Sequence, residues 1–233
     1  MGKSRGESCP QRPRSVRADW FAPLPVEKHR LFEAAEDKLE ISYRMLSVAL
    51  DEAFARRGEG LLACAQLHAG VSADLFDRLA ARLLAALRAL EDHGRHFGTL
   101  PNLTVLNPEF FRGETAQRMA RKSSLLQTVL FSGRSKFFHK LRALAETVED
   151  LQGEFREVAQ EIADGASVHP GASWDALEVL HYDLNTCLRE TIVVLKCFLC
   201  VLPNEEVQPF WQKLKVCAEL PVKPLVRVSR ASR

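Results

Sequence analysis

The sequence has neither a long uninterrupted hydrophobic run nor a dense cysteine framework. Its longest apolar stretch, residues 191–202, includes Lys196 and is shorter than the roughly 20 residues that a membrane-spanning helix needs. The 6 cysteines are scattered along the chain, which is not the pattern of a small disulfide-stapled domain. The first residues are basic and polar, so we expect no secretory signal. These absences predict a cytoplasmic protein in a reducing compartment.

Signatures of common enzyme sites are also missing. The chain has no glycine-rich phosphate-binding loop and no Gly-x-Ser-x-Gly nucleophile elbow. No serine or cysteine has sequence neighbours that indicate an activated nucleophile. We therefore expect neither enzymatic activity nor a cofactor. A catalytic site would require polar groups from distant parts of the chain to converge in a pocket.

The composition instead favours α-helices. Tyrosine occurs only 2 times, whereas Leu, Ala, Glu and Arg are abundant. Unbranched side chains lose little rotamer freedom in a helix. With 233 residues, 46% of them hydrophobic, the chain is long enough to bury a substantial core. No segment alternates with the two-residue period of a β-strand.

Hydrophobic residues recur at alternating intervals of three and four positions along several long segments. The clearest stripe consists of Phe137, Leu141, Leu144, Val148, Leu151, Phe155, Val158 and Ile162. This period is typical of helices that pack in a bundle or a coiled coil. It predicts a helix that follows the break at residues 132–133 and ends at residue 164. Comparable patterns predict helices over 26–57, 72–97, 114–131, 173–202 and 205–216, with Ser72 and Ser173 as N-caps.

These segments predict an all-α fold, an antiparallel bundle of four to five long helices with coiled-coil-like packing. The bundle domain would span residues 26–216. Residues 1–25, which are basic and rich in proline, predict a disordered arm. Residues 217–233 predict a basic, flexible tail.

Charge is unevenly distributed, although the formal net charge is only +2. Residues 146–164 are mainly acidic and follow a strongly basic stretch. This basic patch consists of Arg112, Arg118, Arg121, Lys122, Arg134, Lys136, Lys140 and Arg142. Its charges either meet acidic residues of a neighbouring helix or bind an anionic partner, such as an acidic protein surface or a lipid leaflet. Nucleic acid is not expected, because the chain is nearly neutral and contains no known recognition module.

Two short motifs lie within or near this stretch. Asn107, Pro108 and Phe110 resemble an Asn-Pro-x-Phe docking motif, although Asn-Pro is also an ordinary turn starter. Ser124 follows a basic pair, as the sites of basic-directed kinases do, and a phosphate there would weaken the basic patch. At the N-terminus, Gly2 lacks the Ser or Thr that myristoylation favours at the sixth position.

Three clusters have the spacing of metal or redox sites. Glu178 and His181 form one Glu-x-x-His unit, but the two-metal bundles that use this unit need a second copy. His181 also lies on the apolar stripe of its predicted helix. A Cys-x-x-Cys pair at 197 and 200 lies late in an apolar helix, and His93 and His96 lie near a predicted helix C-terminus. We interpret all three as packing features and expect no metal site.

The leading functional interpretation is a non-enzymatic helical adaptor or scaffold that binds partner proteins through exposed helix faces. The alternative is a peripheral membrane-binding bundle that uses the basic patch on anionic lipids. Either function is compatible with a homodimer. An adaptor should leave an apolar or mixed groove uncovered, whereas a membrane binder should present its basic residues in one plane.

Overall fold

A computed structural model describes residues 26–99, 134–165 and 170–218, and these ranges form a helical bundle. Its helices are α1 (Val26–Gly58), α2 (Leu62–Asp92), α3 (Arg134–Asp164), α4 (Pro170–Val201) and α5 (Asn204–Ala218). A short 3-10 helix, Gly94–Thr99, follows α2. The described ranges contain no β-strand. The predicted all-α class is therefore confirmed.

Helices α1 and α4 run antiparallel. Near the end of α1, Phe54 packs edge-on against Trp174 at the beginning of α4, with ring centroids 5.4 Å apart. Near the beginning of α1, the ring of Phe32 lies 5.4 Å from the ammonium group of Lys196, close to the end of α4. Residue numbers thus rise along α1 as they fall along α4.

Helices α2 and α3 pair in the same antiparallel way. The rings of Phe76 and Phe155 stack midway, with centroids 4.1 Å apart. At the end of α2, Glu91 accepts a 2.6 Å hydrogen bond from Arg142, which lies in the first half of α3. Because α2 also packs against α1, and α3 against α4, the four long helices enclose one hydrophobic core.

The hydrophobic stripes that the sequence predicted lie in the core. On α3, six positions of the predicted stripe are buried and two are half-buried, namely Leu144 and Val158. On α1, the stripe that begins at Phe32 and ends at Ala53 is buried throughout. The three-and-four spacing therefore marks the inward faces of α1 and α3 correctly, while a left-handed supercoil of the helices stays a prediction.

Lys28 is a buried residue that the apolar stripe did not include. Its side chain donates a hydrogen bond to the backbone oxygen of Leu202, just after the end of α4. The last carbonyl groups of a helix have no partner within the helix, so a lysine there satisfies one of them. This contact links the beginning of α1 to the end of α4.

The predicted beginning of the second helix is wrong. Helix α2 starts at Leu62, ten residues before Ser72, and continues through Gly70 without a break. A Cβ atom placed on Gly70 would lie 3.8 Å from Ala163, so this glycine sits at a helix contact. Ser72 is buried and donates a 2.7 Å hydrogen bond to the oxygen of Ala69, which places it inside the helix and not at a cap.

Two other predicted helix ends shift by about one turn. Helix α4 starts at Pro170 and not after Ser173, because proline suits a first helical position where no backbone donor is needed. Helix α2 ends at Asp92 and not at residue 97. The chain turns at Gly94, where an added Cβ would lie only 2.1 Å from the ring of Phe138.

Helix α5 packs across one end of the bundle. Phe210 contacts Phe198 of α4 and His93 beside the end of α2, with ring centroids 4.9 and 5.3 Å apart. The predicted segment 205–216 is confirmed and slightly extended. The predicted arm, nearly all of the predicted tail and the predicted helix over 114–131 lie outside the described residues. Among the helices described, none combines the length and apolarity needed to cross a membrane.

Candidate functional site

An open groove of about 350 Å³ runs between α3 and α4. Its floor is apolar and includes Val158 of α3 together with Val179 and Leu180 of α4. Val179 is 59% exposed, and Tyr182, one turn further along α4, is 69% exposed. This region is therefore a groove on the bundle surface that combines apolar and polar side chains.

One wall of the groove is acidic. Glu154, Glu157 and Glu161 follow one another at intervals of three and four residues, so they lie on one face of α3. All three are exposed. The sequence showed that this part of the chain is acidic, but only the packing of α3 against α4 places these carboxylates beside an apolar floor.

A second apolar surface lies on α1. Ile41, Met45 and Val48 are 54%, 51% and 61% exposed. Their spacing of four and then three residues places them on one side of the helix, away from its buried stripe. We call these three residues the α1 stripe. Hydrophobic periodicity did not reveal this surface, because the dominant apolar stripe of α1 is the inward one.

Arg82 of α2 shows how α1 and α2 are aligned near this stripe. Its guanidinium donates to Ser42 Oγ at 2.6 Å and to the backbone oxygen of Lys38 at 3.2 Å. Both helices rise by about 1.5 Å per residue, so an antiparallel α2 carries Val71 to the level of residues 49–53, about one turn beyond Val48. Val71 is itself exposed.

A small cavity lies beneath α5. It has a volume of about 20 Å³, and its lining includes Ala35, Leu39, Ala86, Trp211 and Leu214. This is about the space of one water molecule. The cavity is too small and too apolar to serve as a substrate pocket.

Within the described ranges, no third metal-binding side chain joins Glu178 and His181 of the Glu-x-x-His unit. Nε2 of His181 lies 3.0 Å from Ser47 Oγ on α1, and the imidazole stacks on Tyr43. Glu178 is exposed. Burial lowers the pKa of His181, against the opposing effect of the Asp51 and Glu178 carboxylates. The ring serves as a contact between α1 and α4.

A different group of potential ligands converges where α2 and α5 meet. Nδ1 of His93 lies 3.8 Å from one oxygen of Glu206, and Nε2 of His96 lies 3.9 Å from the other. Two imidazoles and one carboxylate form a donor set that Zn²⁺ can use. Sequence spacing pairs His93 with His96 but not with Glu206, since the glutamate comes from a helix far along the chain.

Arg95 already engages two of these donors. Its guanidinium lies 2.5 Å from Glu206 Oε1 and donates a 3.1 Å hydrogen bond to Nε2 of His96. His93 is buried, and its Nε2 has no hydrogen-bond partner among the described residues. Burial lowers the pKa of His93, and the positive charge of Lys213 lowers it further. The cluster is therefore arranged as an ionic contact that holds α5 against α2.

Half of the predicted basic patch lies outside the described residues, namely Arg112, Arg118, Arg121 and Lys122. The backbones of Arg134 and Lys136 lie in the first turn of α3, but their side chains are not described. Lys140 and Arg142 are exposed on α3. Arg142 pairs with Glu91 of α2, so this member of the patch meets an acidic residue of a neighbouring helix.

The two short motifs are not placed. Asn107, Pro108, Phe110 and Ser124 all fall within residues 100–133, outside the described ranges. The side chains of Cys197 and Cys200 are likewise not described. Within the described part of the chain, Cys64 and Cys187 are free thiols, of which the first is exposed and the second buried.

Comparisons of the chain with models of protein families, with curated proteins and with solved structures found no significant match.

Proposed function

We propose that this chain is a non-enzymatic helical adaptor or scaffold that binds partner proteins through exposed helix faces. The observation that carries the proposal is the α1 stripe of Ile41, Met45 and Val48. Single exposed apolar residues are common on protein surfaces, but contiguous exposed apolar surface is typical of interaction sites. Methionine adds an adaptable side chain that can repack against a partner.

Helix α3 provides an internal comparison for the α1 stripe. From Phe137 to Ile162, each large hydrophobic residue of α3 is buried or half-buried, and its outward face is polar. An outward face of this kind presents no fully exposed large apolar side chain. Helix α1 departs from this pattern over residues 41–48, which supports a binding role for that segment.

The experiment compares partner capture by matched variants of the tagged protein. Ile41→Ser, Met45→Ser and Val48→Ser are combined to remove the α1 stripe, and Glu33→Gln, Asp37→Asn and Glu40→Gln are combined as a control on the same helix. We expect one or more proteins to be captured by wild type and by the control but lost from the stripe variant. A parallel variant, Val179→Ser with Tyr182→Ser, tests the exposed face of α4. If neither variant changes the captured set, the proposal fails.

The alternative proposal is a peripheral bundle that binds anionic lipids through the basic patch. It is supported by the exposure of Lys140 on α3, and each basic residue near an anionic surface contributes about 1 kcal/mol. Flotation with neutral and anionic liposomes tests it directly. Salt-sensitive binding to anionic vesicles only, lost on charge reversal of Arg121, Lys122, Lys136 and Lys140, would favour this function over the adaptor.

A further inference from the structure

We infer that the groove between α3 and α4 binds a basic amphipathic helix of a partner protein. This inference rests on the proposed adaptor function and names the kind of partner that one of its faces would take. The charged side chains of α3 that face α2 and those that face α4 have different electrostatic surroundings.

On the side that faces α2, the charges of α3 are paired within the bundle. Arg156 contacts Asp77 with two nitrogens at 2.9 to 3.2 Å, and Glu149 accepts from Arg88 at 3.3 Å. Opposite charges on adjacent helices neutralise one another there. These contacts add to the packing of α2 on α3.

On the groove side, the charges of α3 have no such partners. Glu154, Glu157 and Glu161 form no ion pair with any residue in the described part of the chain. Among the residues that the structure describes, no lysine or arginine lines the groove. Three like charges beside an apolar floor repel one another and attract a cationic ligand. The groove is therefore complementary to a positively charged molecule.

The apolar floor of the groove limits which kinds of positively charged ligand can bind there. Val158, Val179 and Leu180 offer aliphatic surface and no polar groups, so the ligand must bring apolar side chains as well as positive charge. A bare metal ion or a polyamine would leave this surface exposed to water. Nucleic acids and anionic lipids would be repelled by the acidic wall. A peptide with an apolar stripe and flanking Lys or Arg residues satisfies both requirements.

The architecture favours a helical peptide over an extended one. The described ranges contain no β-strand, so an extended segment would find no strand edge with which to pair. The acidic wall extends from Glu154 to Glu161, which at about 1.5 Å per residue covers about 10 Å, or two helical turns. A helix would place apolar anchors at positions i, i+3 or i+4, and i+7 on the floor, with basic residues facing the wall.

Fluorescence polarisation with labelled synthetic peptides tests the inference on the full chain. The probe is a helical peptide with leucines at i, i+4 and i+7 flanked by lysines, and the matched peptide replaces each lysine with glutamate. We expect the basic peptide to bind and the acidic one not to bind. Raising the salt concentration from about 0.05 to about 0.5 M should weaken binding, since the Debye length shortens severalfold.

Two sets of variants locate the binding site. Glu154→Gln, Glu157→Gln and Glu161→Gln combined should weaken binding about tenfold, as expected from three partly exposed charge pairs. The control, Glu33→Gln, Asp37→Asn and Glu40→Gln on α1, removes the same charge elsewhere and should leave the affinity unchanged. Val179→Ser should also weaken binding, because it removes exposed apolar floor without disturbing the core.

Several outcomes would overturn the inference. One is an equal loss of affinity for the basic peptide in both charge variants, which would indicate a nonspecific effect of net charge. Another is equal binding of the basic and the acidic peptide. A third is a concentration-dependent dimer that the groove variant abolishes, which would assign the groove to a second copy of the chain. In each of these cases the adaptor proposal would still hold if partner capture depended on the α1 stripe. Failure of the groove inference can therefore be distinguished from failure of the adaptor proposal.

Discussion

The ring of Tyr43 on α1 lies flat against that of His181 on α4, with centroids 4.8 Å apart and planes inclined by only 4°. Ser47 Oγ lies 3.0 Å from Nε2 of the same histidine. These contacts half-bury the imidazole, and this burial lowers the pKa of His181 because the charged form loses part of its hydration. The junction between α1 and α4 is therefore built around a neutral histidine.

This arrangement predicts that the bundle loses stability as the pH falls below about 6.5. In the unfolded chain, His181 takes up a proton near the ordinary histidine pKa of about 6.5. In the folded chain its pKa is lower, so unfolding takes up a proton and becomes easier with acidification. The loss continues until the pH reaches the folded pKa and then levels off.

Chemical denaturation between about pH 7.5 and about pH 5.5 checks this prediction. His181→Gln should flatten the dependence of the unfolding free energy on pH. Part of the slope should remain, because the pKa of His93 is also lowered by burial. An unchanged slope in His181→Gln would show that the folded protein does not hold this ring in the neutral state.

The stacked pair Phe76 and Phe155 predicts a second measurable effect. Both rings are completely buried between α2 and α3. Phe155→Ala should reduce the free energy of unfolding by about 3–5 kcal/mol, because it removes buried surface and leaves a cavity. A double-mutant cycle with Phe76→Ala should give a coupling of about 0.5–1.5 kcal/mol. Val158→Ala, at a half-buried position of α3, should cost clearly less, and a similar cost at both sites would contradict the assigned core.

Two cysteines should differ sharply in reactivity. Burial, with the nearby Asp183 and Glu190 carboxylates, raises the pKa of Cys187 to about 11, so its thiolate is scarce at neutral pH. Cys64 is exposed on α2. Peptide-level mass spectrometry after brief alkylation should find Cys64 modified and Cys187 largely unmodified until denaturant is added. Rapid labelling of Cys187 in the native protein would contradict its placement in the core.

The ionic cluster at the end of the bundle predicts the behaviour of α5. Glu206→Gln keeps the size of the side chain but removes its ion pair with Arg95, at a cost of about 1 kcal/mol. We expect faster amide hydrogen exchange along α5 with little change in the middle of α3.

The effect of added Zn²⁺ on Tm tests whether the same three side chains can bind a metal. A Zn²⁺-dependent rise in Tm that Glu206→Gln abolishes would show that His93, His96 and Glu206 exchange Arg95 for a metal.

Much of the fold could be predicted because its signal is local. The inward faces of α1 and α3 follow from hydrophobic spacing alone, since each buried position repeats within one or two turns. Helix ends were less predictable where a residue type that is common at helix ends lies inside a helix. Gly70 suggested a helix break but lies inside α2 at its contact with α3. Ser72 suggested an N-cap but donates a hydrogen bond to a carbonyl oxygen of its own helix.

The candidate sites depended on contacts between distant segments, which sequence spacing does not encode. The convergence of His93 with Glu206 requires α5 to fold back onto the end of α2. The groove requires α4 to lie beside the acidic face of α3. The composition of residues 146–164 revealed the acidic charge, but not that Val179 would form the adjacent floor.

The central claim, that the protein acts by binding partners through exposed helix faces, is tested most directly by site-specific photocrosslinking in cells that express it. A photoreactive amino acid would replace Val179 in the groove or Met45 on the α1 stripe, with the exposed polar position Arg44 as the control. The account predicts protein adducts at Val179 and Met45 but not at Arg44, and a crosslinked partner peptide rich in Lys or Arg at Val179. Equal adduct formation at all three positions, or none at any, would contradict it.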